Sequence, residues 1–136
     1  MTPLVYLREA AKMDAYYFYA LRVDPVASRM SRRRAPTWEE HVNWWEHTAD
    51  HRFVACNDDG FVGTLRLSPD GVVSIIVDPK CRGMGYGTPM LQALEPYAKR
   101  LGIIHLMAEI AYENERSQRV FTKAGYRPVL FERFLL

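Results

Sequence analysis

Cysteine is scarce in this chain: 2 of its 136 residues, Cys56 and Cys81, in no CxxC or zinc-ligand spacing. Such usage excludes a disulfide scaffold and favours a chain kept reduced. No apolar run approaches the roughly 20 residues of a membrane-spanning helix, and the first residues lack the basic and apolar regions of a signal peptide. We therefore expect a cytoplasmic chain with no membrane partner.

Charge of one sign is also scarce, because 18 Lys and Arg face 16 Asp and Glu and leave a formal net charge of +2. This balance gives no electrostatic argument for a nucleic-acid partner. The histidines His41, His47 and His51 fit no zinc spacing, even with Cys56 added, so no metal cofactor is expected. A chain of this length can bury the core of one domain, which we expect to span residues 1–136.

Glycine, by contrast, is concentrated at one place, residues 82–87 (RGMGYG). The segment follows a β-branched apolar run at 72–77 and precedes a helical pattern. Glycines let the backbone approach a ligand, and a helix N-terminus attracts anions. The segment therefore predicts a phosphate or pyrophosphate site, the alternative being a glycine-rich turn without a ligand. Its predicted contacts are Arg82, Gly83, Met84, Gly85, Tyr86, Gly87 and Thr88.

Two common phosphate motifs are missing: the P-loop is absent, and Thr88 stands where the dinucleotide fingerprint needs its third glycine. The segment instead resembles the acyl-CoA signature [RQ]xxGx[GA] of the GNAT acetyltransferases, matched by Arg82, Gly85 and Gly87. Residues 114–126 resemble that family's later pattern, N-x-x-[AS]-x-x-[VL]-[YF]-x-K-x-G-[FY]. Two motifs in the right order are far more specific than either alone.

The resemblance implies an α/β fold with a mixed sheet, mostly antiparallel, with a splayed parallel pair of strands and about four helices. It also implies acetyl-CoA as cosubstrate, with no metal. The pantetheine arm would enter the splay and pair with backbone groups near Ile76 and Val77. Asn114 would hydrogen-bond that arm, and Ser117 would lie beside it.

The hydrophobic pattern places strands at 4–8, 52–57, 61–68, 72–77 and 103–110, with the middle three in an antiparallel meander. Helices are predicted at 10–23, 37–47, 87–101 and 115–124, and Pro96 should kink or break the third. The basic stretch 22–36 is predicted to be a loop. Residues 126–136 leave room for little more than one strand, so we expect either a shortened final hairpin or a last strand that pairs with a second subunit in a homodimer.

The N-terminal half resembles family members that acetylate nucleotide-linked amino sugars, and related openings occur in members acting on ribosomal protein N-termini. By this resemblance the first helices flank the acceptor. Arg29 would bind an anionic acceptor, and Trp38 and Trp44 would stack on a sugar or base. The alternatives are a solvated surface loop for Arg29 and ordinary packing for the tryptophans.

The catalytic groups depart from the family pattern, because no glutamate occupies the start of the central strand and Phe121 replaces a frequent tyrosine. The candidates are Glu109 as base, Tyr112 as acid for the thiolate and Ser74 as a water ligand. Each is equally explained as a surface carboxylate, a packed ring or a buried hydroxyl.

We therefore predict transfer of an acetyl group from acetyl-CoA to a primary amine of a small acceptor. The first candidate for that acceptor is a nucleotide-linked amino sugar. The alternatives are a protein N-terminus, another small amine, an acyl-CoA sensor without turnover, or an unrelated mononucleotide-binding domain.

Overall fold

The computed structural model describes residues 3–136, which form two sheets flanked by helices. The strands are β1 (Tyr6–Glu9), β2 (His51–Asn57), β3 (Gly60–Leu67), β4 (Val73–Val77), β5 (Met107–Glu109), β6 (Arg127–Leu130) and β7 (Arg133–Leu135). The α-helices are α1 (Ala15–Arg22), α2 (Pro25–Ser31), α3 (Trp38–His47), α4 (Gly87–Arg100) and α5 (Glu115–Lys123). The predicted α/β fold is confirmed, but with five α-helices in the described residues instead of about four.

The first sheet has the order β1-β2-β3-β4 and is antiparallel throughout, which confirms the predicted meander. Its strands are sufficiently apolar to be covered on both faces. Val54 and Cys56 of β2 pack against α1 and α3, through a cluster that includes Phe18 and Trp45. The opposite face packs against the buried side of α4 in the main core.

The fifth helix, α2, lies in the basic stretch predicted to be a loop. The Asp24 side chain accepts a hydrogen bond from the Ala27 N–H, and Pro25 occupies the first turn. These local signals start a helix whose residues are all at least partly exposed. Because α2 buries no apolar stripe, its sequence shows no helical periodicity, and this lack of periodicity is the reason that the segment was predicted to be a loop.

Helix α4 is one continuous helix of 14 residues that includes Pro96, so the expected break into two pieces is wrong. Its buried side includes Met90, Leu91 and Leu94, all inaccessible to solvent. Packing of this stripe on the sheet offsets the one backbone hydrogen bond that the proline removes.

The C-terminal segment forms two short strands, which is the shortened hairpin among the two predicted alternatives. The second sheet has the order β5-β7-β6, and all its pairs are antiparallel. Glu132 adopts a left-handed conformation (φ 58°) in the turn between β6 and β7. This tight turn lets the segment Arg127–Leu135 supply two strands.

The two sheets meet through a parallel bridge between Val72 and Met107, and beyond it β4 and β5 diverge. The strand predicted at 103–110 is accordingly short, limited to Met107–Glu109. A gap thus opens toward the carboxyl ends of β4 and β5, which is the predicted splayed parallel pair.

Cys56 and Cys81 are both buried and unbonded to each other. Within residues 3–136, no helix combines the length and the apolar character needed to cross a membrane.

Candidate active site

The gap between β4 and β5 exposes backbone groups of β4. A hydrogen bond from the Asp78 N–H to the Val62 carbonyl (2.8 Å) fixes which residues of β4 bond to β3. Because bonding alternates along an antiparallel pair, Ile76 faces β3, whereas the N–H groups of Ile75 and Val77 point toward the gap. The N–H of Ile76, expected to pair with the pantetheine arm, is therefore directed at β3, and the N–H groups that face the gap are those of Ile75 and Val77.

The glycine segment turns the chain from β4 into α4. Gly83 and Gly85 have φ of 77° and 83°, a region that suits glycine, and a Cβ at Gly83 would meet nothing within 4 Å. The tip is open, with Met84 61% exposed. Gly87 serves a different purpose, because a Cβ there would lie 2.6 Å from Val120 Cγ1 of α5. Two glycines therefore shape an open loop at a helix N-terminus, and the third permits helix packing.

Side chains of this segment anchor it to the rest of the fold. Arg82 donates to the Asp24 carboxylate (2.7 Å), which lowers the pKa of Asp24, so the guanidinium is paired instead of standing free at the rim. The Tyr86 hydroxyl accepts from Asn57 Nδ2 (2.8 Å), and Thr88 Oγ1 donates to the Val120 carbonyl (3.1 Å). These bonds fix the loop before any ligand arrives.

Asn114 caps α5 on the other side of the gap. Its Oδ1 accepts a hydrogen bond from the Ser117 N–H (3.2 Å). The cap uses only the amide oxygen, so it leaves the Nδ2 group out of this interaction. The arrangement orders both residues at the carboxyl side of β5.

One face of the gap is closed by the core. Val73, Ile75 and Val77 pack against the cluster that contains α4, and Ala108 of β5 belongs to the same cluster. Since side chains alternate along a strand, Ser74 lies on the other face of the sheet. Ser74 is half-buried, so this is the face from which we expect a small molecule to approach the gap.

Two of the three catalytic candidates, Ser74 and Glu109, lie on this face, and Tyr112 follows the end of β5. Glu109 is exposed and alternates with the buried Ala108, so it shares a face with Ser74 on the opposite side of the gap. Tyr112 is 75% exposed, and its backbone N–H donates to Glu132 Oε2 (2.6 Å). Phe121, which stands where many family members have a tyrosine, is buried edge-on to Tyr126 and has no hydroxyl to donate a proton.

The two tryptophans predicted to bind the acceptor have different surroundings. Trp38 stacks on Tyr16, with ring centroids 4.9 Å apart. Trp44 faces two guanidinium groups, Arg22 at 4.7 Å and Arg66 at 5.2 Å from the ring centroid. Arg29, the predicted anion clamp, is exposed on α2.

Arg22 and Arg66 were not among the site residues predicted from the sequence, although the position of Arg66 within an apolar strand indicates a special role. Arg66 interrupts the buried run of β3, where Leu65 and Leu67 are both inaccessible to solvent.

His41, considered as a metal ligand, is instead part of the packing. It is inaccessible to solvent, its Nε2 donates to the Ala15 carbonyl (2.8 Å), and its Nδ1 accepts from Arg22 (2.9 Å). Burial lowers the pKa of His41, which is consistent with this neutral tautomer. Across residues 3–136, no group of three or more His, Cys, Asp or Glu residues could hold a metal ion.

Helix α2 connects the two sides of the gap. At its start, Asp24 binds Arg82 in the segment that follows β4. At its end, Arg32 pairs with Glu113, which follows β5, and with Glu132 between β6 and β7 (2.6 Å to the latter). The helix thus bridges the carboxyl ends of the diverging strands.

Comparison with known proteins agrees with this geometry. The family model described as "Acetyltransferase (GNAT) family" matches residues 14–126. YwnH of Bacillus subtilis (strain 168), named as a candidate phosphinothricin acetyltransferase, is 31% identical over 134 residues, covering 88% of this chain and 82% of YwnH.

Solved structures share the fold. Aminoglycoside acetyltransferase AAC(6')-Ib in complex with coenzyme A superposes with a TM-score of 0.82 at 16% identity, covering 98% of this chain and 94% of that one. Spermidine N-acetyltransferase from Vibrio cholerae, with CoA and spermine, gives 0.81 at 16% identity over 96% and 91% of the two chains. The family match covers both motifs, the glycine loop and the α5 segment. The chain therefore belongs to the GNAT acetyltransferase family and is an N-acetyltransferase that uses acetyl-CoA and acetylates amines.

Proposed function

We propose that this chain transfers the acetyl group of acetyl-CoA to the primary amine of a small acceptor. The first candidate for that acceptor is a nucleotide-linked amino sugar. The observation that carries the proposal is the gap between β4 and β5. It has free backbone N–H groups on β4, an open glycine loop at its carboxyl end, and one face left clear of the core. Acetyl-CoA supplies the activated thioester, and the chain supplies position and polarity.

The loop of Gly83, Met84 and Gly85 and the first turn of α4 would bind the pyrophosphate of acetyl-CoA through backbone N–H groups. The N–H of Val77 and the Nδ2 of Asn114 would pair with pantetheine amides, with Ser117 beside them. The Ile75 N–H is the candidate donor to the thioester carbonyl. A donor aimed where negative charge develops typically contributes on the order of 10²-fold in rate.

The amine must lose a proton as its nitrogen bonds to the carbonyl carbon and the carbon–sulfur bond breaks. Glu109 is the candidate base, directly or through a water held by Ser74, because both lie on the open face. Tyr112 is the candidate donor of the proton that the departing thiolate takes up. Positioning of the two substrates supplies a further part of the acceleration.

Two acceptor classes have support. The resemblance of the N-terminal half to enzymes of nucleotide-linked amino sugars favours such a sugar. The relationship to YwnH, named for phosphinothricin acetylation, favours an amine of amino-acid type. A protein N-terminus remains a third class.

The test is steady-state release of free CoA thiol with a panel of amines: nucleotide-linked amino sugars, free amino sugars, amino acids, spermidine and an N-terminal peptide. We expect sustained release with one class of small amine. Binding of acetyl-CoA without release for any amine would contradict the proposal.

A further inference from the structure

Two arginines on the side of the sheet that carries Ser74 contact the same tryptophan. The guanidinium carbons of Arg22 (α1) and Arg66 (β3) lie 4.7 and 5.2 Å from the centroid of the Trp44 ring. The charge of Arg66 lowers the pKa of Arg22, so the two like charges repel each other across a partly buried site.

These arginines have few negative partners. Arg22 bonds to His41, which is neutral, and forms no ion pair with a carboxylate of residues 3–136. Arg66 has one such partner, the carboxylate of Asp50, which lies 3.7 Å away and beyond a normal hydrogen bond. Burial lowers the pKa of both arginines; the charge of Arg66 lowers that of Arg22 further, whereas the charge of Asp50 offsets part of the lowering at Arg66. A cationic site of this kind costs free energy unless a counter-charge arrives.

The site is adjacent to the reaction centre. Arg66 is directly opposite Ser74 in the β3–β4 register, and cross-strand partners project from the same face. Ser74 precedes Ile75, whose N–H points into the gap. An acceptor on this face can therefore place its amine at the gap while another group contacts Arg66.

We propose that Arg66 and Arg22 bind an oxyanion of the acceptor, so that the substrates are small primary amines carrying a carboxylate or a phosphate. Guanidinium groups match the planar geometry of carboxylate and phosphate oxygens, and such charge-assisted bonds are the stronger ones. Trp44 packs against the guanidinium groups. The same charges repel polyamines and aminoglycosides. The inference rests on the proposed transferase function and narrows its acceptor.

The first experiment needs only the wild-type chain. We compare kcat/KM, from release of CoA thiol, for amines matched in all but the anion: amino acids against their primary amides, and an amino-sugar 1-phosphate against the free amino sugar. We expect the anionic member of at least one pair to be preferred about 10- to 100-fold, as for hydrogen bonds to charged groups. The first pair tests a carboxylate, and the second tests a phosphate.

The second experiment uses Arg66→Gln, with Arg100→Gln as the matched control. Arg100 also lies over an aromatic ring, that of Tyr97 at 4.6 Å, but at the far end of α4. Arg66→Gln should remove the preference for the anion, so that kcat/KM falls far more for the anionic member of the preferred pair than for the uncharged member. Arg100→Gln should keep the preference.

Thermal stabilisation by the same amines gives a readout independent of turnover. Wild type should be stabilised by the anionic member of the preferred pair and Arg66→Gln should not. Turnover of amines with no preference for the anion, or equal loss on both members of a pair in Arg66→Gln, would overturn the oxyanion site and leave the transferase function intact. Absence of turnover together with anion-dependent stabilisation would support the oxyanion site and contradict the transferase function.

Discussion

At the scale of single residues, the three glycines of the signature are not equivalent. Gly83 and Gly85 have positive φ, and an added Cβ would meet nothing within 4 Å at Gly83 and only Pro3, at 3.9 Å, at Gly85, so their role is the shape of the loop. Gly87 has no such conformation and is instead pressed against Val120. A substitution at Gly87 should therefore act on stability, whereas one at Gly85 should weaken ligand binding in addition to straining the backbone.

Gly87→Ala should lower the free energy of unfolding by about 1–3 kcal/mol, because the added methyl overlaps Val120. Denaturant unfolding at constant slope measures the change. In the double variant with Val120→Ala, the loss should be smaller than that of the two single variants together, since the clash is gone. Strict additivity would contradict the assigned contact.

At the scale of elements, α3 shows how local signals define a helix start. Thr37 Oγ1 accepts from the Glu40 N–H (3.1 Å), and the Glu40 carboxylate accepts from the Thr37 N–H (2.8 Å). These two bonds form a capping box, which suits the Thr-x-x-Glu spacing of residues 37–40. Arg34 adds two bonds to Glu40, at 3.0 and 2.9 Å. The carboxylate of Glu40 thus stabilises the N-terminus of α3, where Trp38 lies.

The pKa of Glu40 is lowered to about 2, first by Arg34 and then by the Thr37 N–H. A carboxyl whose pKa is lower in the folded state stabilises that state above its unfolded pKa, and the contribution is lost as pH falls toward 2. Arg34→Gln should raise the Glu40 pKa toward its ordinary value and weaken this acid dependence. Carboxyl NMR titration measures it, with the exposed Arg119→Gln as control. An unchanged Glu40 pKa would contradict the pairing.

Sequence reasoning succeeded where a signal is local and failed where tertiary contacts decide. The glycine loop, the capping box and the meander all follow from residues close in sequence. Helix α2 buries no apolar stripe, and its ends are held by partners more than fifty residues away, Arg82 and Glu132. The direction of the Ile75 N–H, toward the gap, depends on the register of β4 with β3, which no local pattern specifies.

At the scale of the whole molecule, the two sheets have few direct links. They share the Val72–Met107 bridge at the closed end of the gap, and α2 connects the open end through Arg82 and Arg32. Arg32 has a left-handed backbone (φ 57°), as does its partner Glu132. This connection fixes the separation of β4 and β5, and with it the width available to ligands.

Arg32→Gln should loosen the β6–β7 turn without unfolding the protein, because exposed ion pairs contribute little to global stability. The Tyr112 N–H, which donates to Glu132 Oε2, is the reporter. Its hydrogen exchange should become several-fold faster, as expected for a local opening. Arg34→Gln is the matched control, since its pair with Glu40 lies within the start of α3. Equal exchange in both variants would contradict the bridge.

The most direct test of the account is calorimetric titration of acetyl-CoA into wild type, Gly85→Ala and Gly102→Ala. Both glycines lie at ends of α4 with positive φ (83° and 77°), so both substitutions impose similar backbone strain. If the open loop binds the pyrophosphate, Gly85→Ala should weaken acetyl-CoA binding at least tenfold, as the loss of one charge-assisted hydrogen bond would, and Gly102→Ala should bind as wild type does. Normal affinity in Gly85→Ala would contradict the site.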